Sequence, residues 1–459
     1  MKNTKTQVVV DVISDFEARR EARRPFELQW QLNIDYLHGR QNNVINSHEM
    51  VATAGKRFWW QNSEVFNHIA PLVESRLAKL VNTTEVINVI PLGDGERERE
   101  CATKCEKIIK SAFKKTNMKD LVDQANMWAE MTGTSFYKVV WDNNKGCCVG
   151  EVCEEGKPRP VFMGDVTIVA CSPFEVYPDS LTAGDVGQLS SIIHARPFTT
   201  ENVKRIWGVD VVGESIEVHD LNLGGKVERV DDAVMVIERY KDGELVIVAG
   251  DKLVYQGAYD ELPFVRQTSE SVPGCFFGKS VIERAIPVQR AYNAVKNRKM
   301  EFINRLSCGV LAVEQGSVDV ESLENEGLAP GAIIEYRNGG KEPTFLSGHE
   351  IPEALAVEED KLLSELATIT GGSDISRGDF SNVSGVALEI MVAQDRLRIR
   401  RAQVSGQNAR GQVAQMVLRL YRKWASEARI DRLVNGKLVE VFSWSGKDIT
   451  SDDVEVGNE

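Results

Sequence analysis

The sequence predicts an α+β protein organised around a helix–β–helix unit and one very long helix. Three observations carry that prediction. Early segments place apolar residues at helical spacing, as in Val65, Ile69, Leu72, Val73, Leu77 and Leu80. β-Branched and aromatic runs between Gly, Pro and Asn turns follow, as in Ser135-Phe-Tyr-Lys-Val-Val-Trp. The stretch 276–428 then reads as helix, short turn-rich strands, helix, Gly/Ser loop and long helix. The chain has 459 residues, 42% hydrophobic, 27% charged and 7% aromatic. That composition is ordinary for a folded protein of about two or three domains.

Taken in order, helices are expected over 16–39 (ended by Gly39), 65–80, 97–116 and 118–131. Strands are expected over 135–141, 166–171, 192–196 and 234–240. No fixed-period repeat is present, which sets solenoid folds aside. An amphipathic helix begins at Gly278-Lys-Ser-Val-Ile-Glu-Arg-Ala-Ile-Pro-Val-Gln-Arg-Ala-Tyr-Asn, and a second covers 351–367. The loop Gly371-Gly-Ser-Asp-Ile-Ser-Arg-Gly-Asp-Phe-Ser-Asn-Val-Ser-Gly leads into the long helix, 386–428. About forty residues at roughly 1.5 Å each span about 60 Å. Ser405, Gly406 and Gly411 are its natural kink points.

No run of about 18 apolar residues is present, so no membrane span is expected. The N-terminus, with no sustained apolar core, does not read as a secretory signal. Eight cysteines without a C-x-x-C pair predict a reducing compartment and a soluble cytosolic assembly.

Signals for catalysis fail one by one. Gly274-Cys-Phe-Phe-Gly278-Lys279-Ser280 resembles a phosphate loop, but that loop needs about four residues between its glycines, and Pro273 stands where the first should be. Gly278 is better read as a loop end and Ser280 as a helix cap. Cys101 and Cys105 lack a second ligand pair, and Cys147, Cys148 and Cys153 cluster in a turn, so no metal site is expected. Neither His48-Glu49 nor His349-Glu350 extends to H-E-x-x-H, and no Gly-x-Ser-x-Gly elbow occurs. The expectation is no catalytic residue, no cofactor and no enzyme.

Several segments, in order, resemble tailed-bacteriophage portal proteins of the podophage type. They are Gln29-Trp-Gln-Leu-Asn-Ile-Asp-Tyr-Leu-His-Gly-Arg-Gln41, Asn67-His-Ile-Ala-Pro-Leu-Val-Glu, Ala129-Glu-Met-Thr-Gly-Thr-Ser-Phe-Tyr-Lys-Val-Val-Trp-Asp142 and Cys171-Ser-Pro-Phe-Glu-Val-Tyr-Pro-Asp179. The nearest likenesses are 278–293 and Ser384-Gly-Val-Ala-Leu-Glu-Ile390. The resemblance runs from about Trp30 to Trp424.

The resemblance implies a portal fold: an α/β wing over 1–275, a stem helix over 276–306, a β-rich clip over 307–350, and a second stem helix over 351–370. A tunnel loop over 371–385 and the long kinked helix with C-terminal wing strands over 386–459 complete it. Relatives often continue into a helical crown, and here the crown is expected to be absent or truncated. The implied assembly is a dodecameric homo-oligomer at one capsid vertex, made in the host cytoplasm and carried in the virion. It implies passage of double-stranded DNA in packaging and ejection. The implied partners are the terminase large subunit, the major capsid protein or scaffold, and the tail adaptor, with no membrane.

The resemblance makes Ser373, Ser376, Arg377, Asn382 and Ser384 the tunnel-loop candidates for brief phosphate contacts, which carry no sequence information. In the stem, Lys296, Arg298 and Lys299 either line the channel or bridge to acidic faces of neighbouring subunits. The clip region carries Glu314, Asp319, Glu321, Glu324, Glu326, Glu335, Glu342 and Glu350 against Arg337 and Lys341, with Glu321, Glu324 and Glu326 as its acidic surface. A net charge of −13 counts against tight DNA binding but suits a channel in which the duplex must slide. Two alternatives stay open: another head–tail virion component, or an enzyme with a site in the N-terminal region.

Overall fold

The computed structural model describes residues 2–46, 50–53, 62–81, 85–154, 157–220, 226–308, 310–312, 314–315, 344–346, 353–370, 385–435 and 438–458. Helices and strands are both abundant, and the chain is α+β as expected.

Helix α1 (Lys2–Leu37) starts well before residue 16. Val9, Val12 and Phe16 pack against Ile193, Ile237, Val246 and Val248 of a sheet. That burial outweighs a helix-propensity deficit of at most about 0.7 kcal/mol per β-branched residue. Short strands β1 (Asn43–Ile45) and β2 (Val51–Thr53) pair antiparallel after it. Helix α2 (Ile69–Val81) begins later than the apolar spacing at Val65 predicts. Asn67 Oδ1 accepts from the N–H groups of Ile69 and Ala70, at 3.0 and 3.2 Å, and fixes the start there. After β3 (Glu85–Val89), helices α3 (Glu96–Lys115) and α4 (Met118–Thr132) agree with expectation to within a residue at each end.

Strand β4 (Thr134–Asp142) leads through the hairpin of β5 (Cys148–Glu154) and β6 (Lys157–Phe162) to β7 (Asp165–Cys171). A 3-10 turn, Pro173–Glu175, precedes β8 (Val176–Pro178), and β9 (Ser191–Thr199) is followed by the short helix α5 (Thr200–Trp207). Then come β10 (Glu214–Asp220), β11 (Lys226–Lys241), β12 (Glu244–Ala249), β13 (Lys252–Ala258) and β14 (Phe264–Thr268). They form an antiparallel sheet in the order β13-β12-β11-β9-β8, with β10 also on β11, and a second one in the order β14-β4-β7. Asp242 and Gly243, with φ of 52° and 77°, make the two-residue turn from β11 to β12. Both positions need positive φ in a turn that matches strand twist, which Asp-Gly supplies.

The helix–β–helix unit comprises α6 (Val281–Cys308), β15 (Val310–Ala312), β16 (Thr344–Leu346) and α7 (Glu353–Thr370), with β15 and β16 antiparallel. The long helix α8 (Gly385–Trp424) is assigned as one helix through Gly406 and Gly411. Those glycines admit neighbours. A Cβ at Gly411 would stand 3.4 Å from the Val454 carbonyl oxygen, and one at Gly406 would stand 3.4 Å from Gln267 Nε2.

Strands β17 (Arg429–Asn435) and β18 (Leu438–Trp444) pair as a hairpin. Strand β19 (Val454–Asn458) returns to pair with β3, joining distant parts of the sequence. The largest core gathers Ile108, Ile109, Tyr137, Val139, Val413, Val417, Tyr421 and Trp444, so α8 is a central member of the α/β body. An aromatic core of Trp30, Phe136, Phe276 and Phe277 lies where α1, β4 and the segment before α6 meet.

Candidate functional site

Helices α6 and α7 run antiparallel, side by side. Val281, Ile282, Ala285, Ile286, Val288 and Tyr292 recur at helical spacing on α6 and pack with Leu362 and Leu366 of α7. Leu32 and Tyr36 of α1 and Ile69 and Val73 of α2 complete this core, tying the pair to the N-terminal helices.

A single carboxylate joins the two helices further along. Glu359 of α7 accepts from Lys299 at 2.9 Å, from Lys296 at the other oxygen, and from the Tyr292 hydroxyl at 3.4 Å. The Lys296 hydrogen bond holds the Glu359 carboxyl below the usual carboxylate range, and the same bond raises Lys296. Arg298 is exposed. Of the three stem candidates, Lys296 and Lys299 thus meet within the subunit on Glu359. Tunnel-loop candidates Ser373, Ser376, Arg377, Asn382 and Ser384 lie outside the described residues, as do Glu321, Glu324 and Glu326.

The root of α6 is built from buried polar contacts. The Ser280 hydroxyl accepts from the Ile282 N–H at 3.1 Å and donates to the Glu130 carbonyl, while Glu283 accepts from the Ser280 N–H at 3.3 Å. Ser280 therefore caps the helix, as its position in the sequence implies. The buried Glu130 side chain accepts from Arg76 Nε at 2.7 Å and from the Ser269 hydroxyl at 2.8 Å. Helices α2, α4 and α6 and the end of β14 thus converge on one residue.

A family model described as phage P22-like portal protein matches residues 217–458, more than half of the chain. The chain belongs to that family. It is a phage portal protein, a head–tail connector of the virion, and the family is a structural one. No curated protein matches the chain. The matched span contains the helix pair, the long helix and the returning strand β19, and the portal buries α1, α2 and α4 against it. Among the described residues, no helix of the portal is long and apolar enough to cross a membrane.

Sequence reasoning missed one cluster. Cys171, Glu175 and His194 offer donor atoms that all lie within 4.8 Å of one another. Cys171 ends β7, Glu175 closes the 3-10 turn, and His194 sits on β9 opposite Val176 and Glu238. Burial and the Lys138 ammonium oppose charge on His194. Hydrogen bonds to Cys171, Glu175 and Glu238 prevail and push its pKa up to about 10. The Cys171-x-x-x-Glu175 spacing was the available signal, but nothing in the sequence announces that His194 pairs beside it.

Proposed function

We propose that this portal assembles as a dodecameric ring at one capsid vertex and forms the channel for double-stranded DNA during packaging and ejection. In this reading residues 1–275 and 386–459 make the wing, 276–306 and 351–370 the stem, 307–350 the clip and 371–385 the tunnel loop. The clip, with Glu321, Glu324 and Glu326, is the platform for the terminase large subunit and later the tail adaptor. The wing meets the major capsid protein or scaffold. Ser373, Ser376, Arg377, Asn382 and Ser384 touch passing phosphates briefly and without reading sequence. The motor hydrolyses nucleotide and the ring guides, so packaging chemistry belongs to the partner and assembly takes place in the host cytoplasm.

The observation that supports the reading most is the family match over the whole helix–β–helix unit and the long helix. The antiparallel pair of α6 and α7, joined at Glu359, supports assigning both helices to one stem. Packaging with Arg377→Glu tests it. The variant should form normal particles yet fail to fill or retain DNA, and normal filling would remove Arg377 from the mechanism.

A further inference from the structure

Cys171, Glu175 and His194 come together where the β14-β4-β7 sheet abuts the sheet containing β8, β9 and β11. Cys171 and His194 are each 1% exposed, and the Glu175 side chain reaches solvent at 31%. His194 Nε2 stands 3.3 Å from the Glu175 carboxylate. Two N/O ligands held at about 2.0–2.1 Å by a tetrahedral ion stand about 3.3 Å apart.

We propose that Cys171, Glu175 and His194 form a zinc-binding site. Thiolate, imidazole and carboxylate are a donor set that suits zinc, a borderline-soft ion. A water completes the tetrahedron on the side where Glu175 meets solvent. The surroundings fit a second layer of support. Glu238 Oε1 lies 3.6 Å from His194 Nδ1, and its other oxygen accepts from Lys138 and from the Tyr240 hydroxyl at 2.9 Å. The Lys138 ammonium also stands 3.3 Å from Nδ1, so for Nε2 to take the metal it turns wholly to Glu238, which then accepts the Nδ1 proton. Charge also closes. The dication is balanced by the Cys171 thiolate and Glu175, and Lys138 by Glu238. The thiol and imidazolium protons leave to solvent as the bonds form. The ion pins the end of β7 and the turn before β8 to the middle of β9, stitching the two sheets together.

The test is metal titration of the purified full-length protein after chelator treatment, using cobalt(II) as a coloured stand-in and then zinc. The expected result is one equivalent per subunit, with a thiolate-to-cobalt charge-transfer band that Cys171→Ser abolishes. Glu175→Gln changes a partly exposed side chain, so it keeps the fold while weakening zinc affinity at least tenfold. Cys147→Ser with Cys148→Ser, both exposed at the start of β5, leaves stoichiometry and band unchanged. Absence of metal binding by the unaltered protein overturns the proposal, and the histidine is then an imidazolium bridging carboxylates. A band that survives Cys171→Ser but vanishes in the Cys147/Cys148 variant overturns it equally.

Discussion

Gly133 and Gly278 meet backbone to backbone where α4 turns into β4 and the chain enters α6. A Cβ on Gly278 would lie 2.6 Å from the Gly133 carbonyl oxygen and 2.6 Å from that of Glu270. Gly133 also holds φ at +89°, a region closed to most side chains. Its N–H caps α4 on the Ala129 carbonyl. Gly278→Ala must therefore push apart the α4–β4 turn and the root of α6. The expected loss is about 1–3 kcal/mol, typical of an overpacked site. Chemical denaturation of the two proteins measures it, and an unchanged midpoint would show that the junction relaxes freely.

Arg76 and Glu130 form a second node at the same junction, with side chains 12% and 1% exposed. Removing the guanidinium strands a buried carboxylate that the Ser269 hydroxyl alone cannot compensate. Arg76→Ala should cost about 3–5 kcal/mol. Glu130→Gln keeps the amide in reach of Arg76 and Ser269 and should cost less. The order of the two thermal midpoints decides the point.

Glu359 predicts a pH dependence. Its carboxyl is depressed in the folded subunit by Lys296 and Lys299, so the unfolded chain binds more protons at acid pH. The stabilisation is present above the unfolded carboxylate value of about 4.3 and is lost as pH falls through the lower folded one. Glu359→Gln should flatten this acid-side slope. At neutral pH it should cost about 0.2–1 kcal/mol for each lysine pair it removes. Melting curves from neutral to acid pH compare the two, and parallel slopes would contradict the assignment.

Much of this was legible in the sequence where periodicity is strong and contacts are local. The spacing of Val281, Ile282, Ala285 and Ile286 announces α6, and Ser280 announces its start. The alternation of β4 fails to show because its early residues are buried on both faces, yet its β-branched and aromatic content suffices. Long-range pairing was not legible. Strands were expected in the C-terminal segment, but only tertiary contact shows that Val454 and Val456 pair with Val89 and Ile87 and seat against Gly411. The β11–β12 turn carried a readable Asp242-Gly243 signal. Lys296 and Lys299 were expected to line a channel or bridge to neighbouring subunits, and their partner within the subunit was not legible because Glu359 lies far along the chain, across the unit that reverses it.

The central claim is a closed ring. Electron microscopy with rotational class averaging should be made on the portal alone and after co-expression with its capsid and scaffold proteins. The account predicts closed dodecameric rings around an open axial channel. Uniform monomers or dimers in both preparations would contradict it.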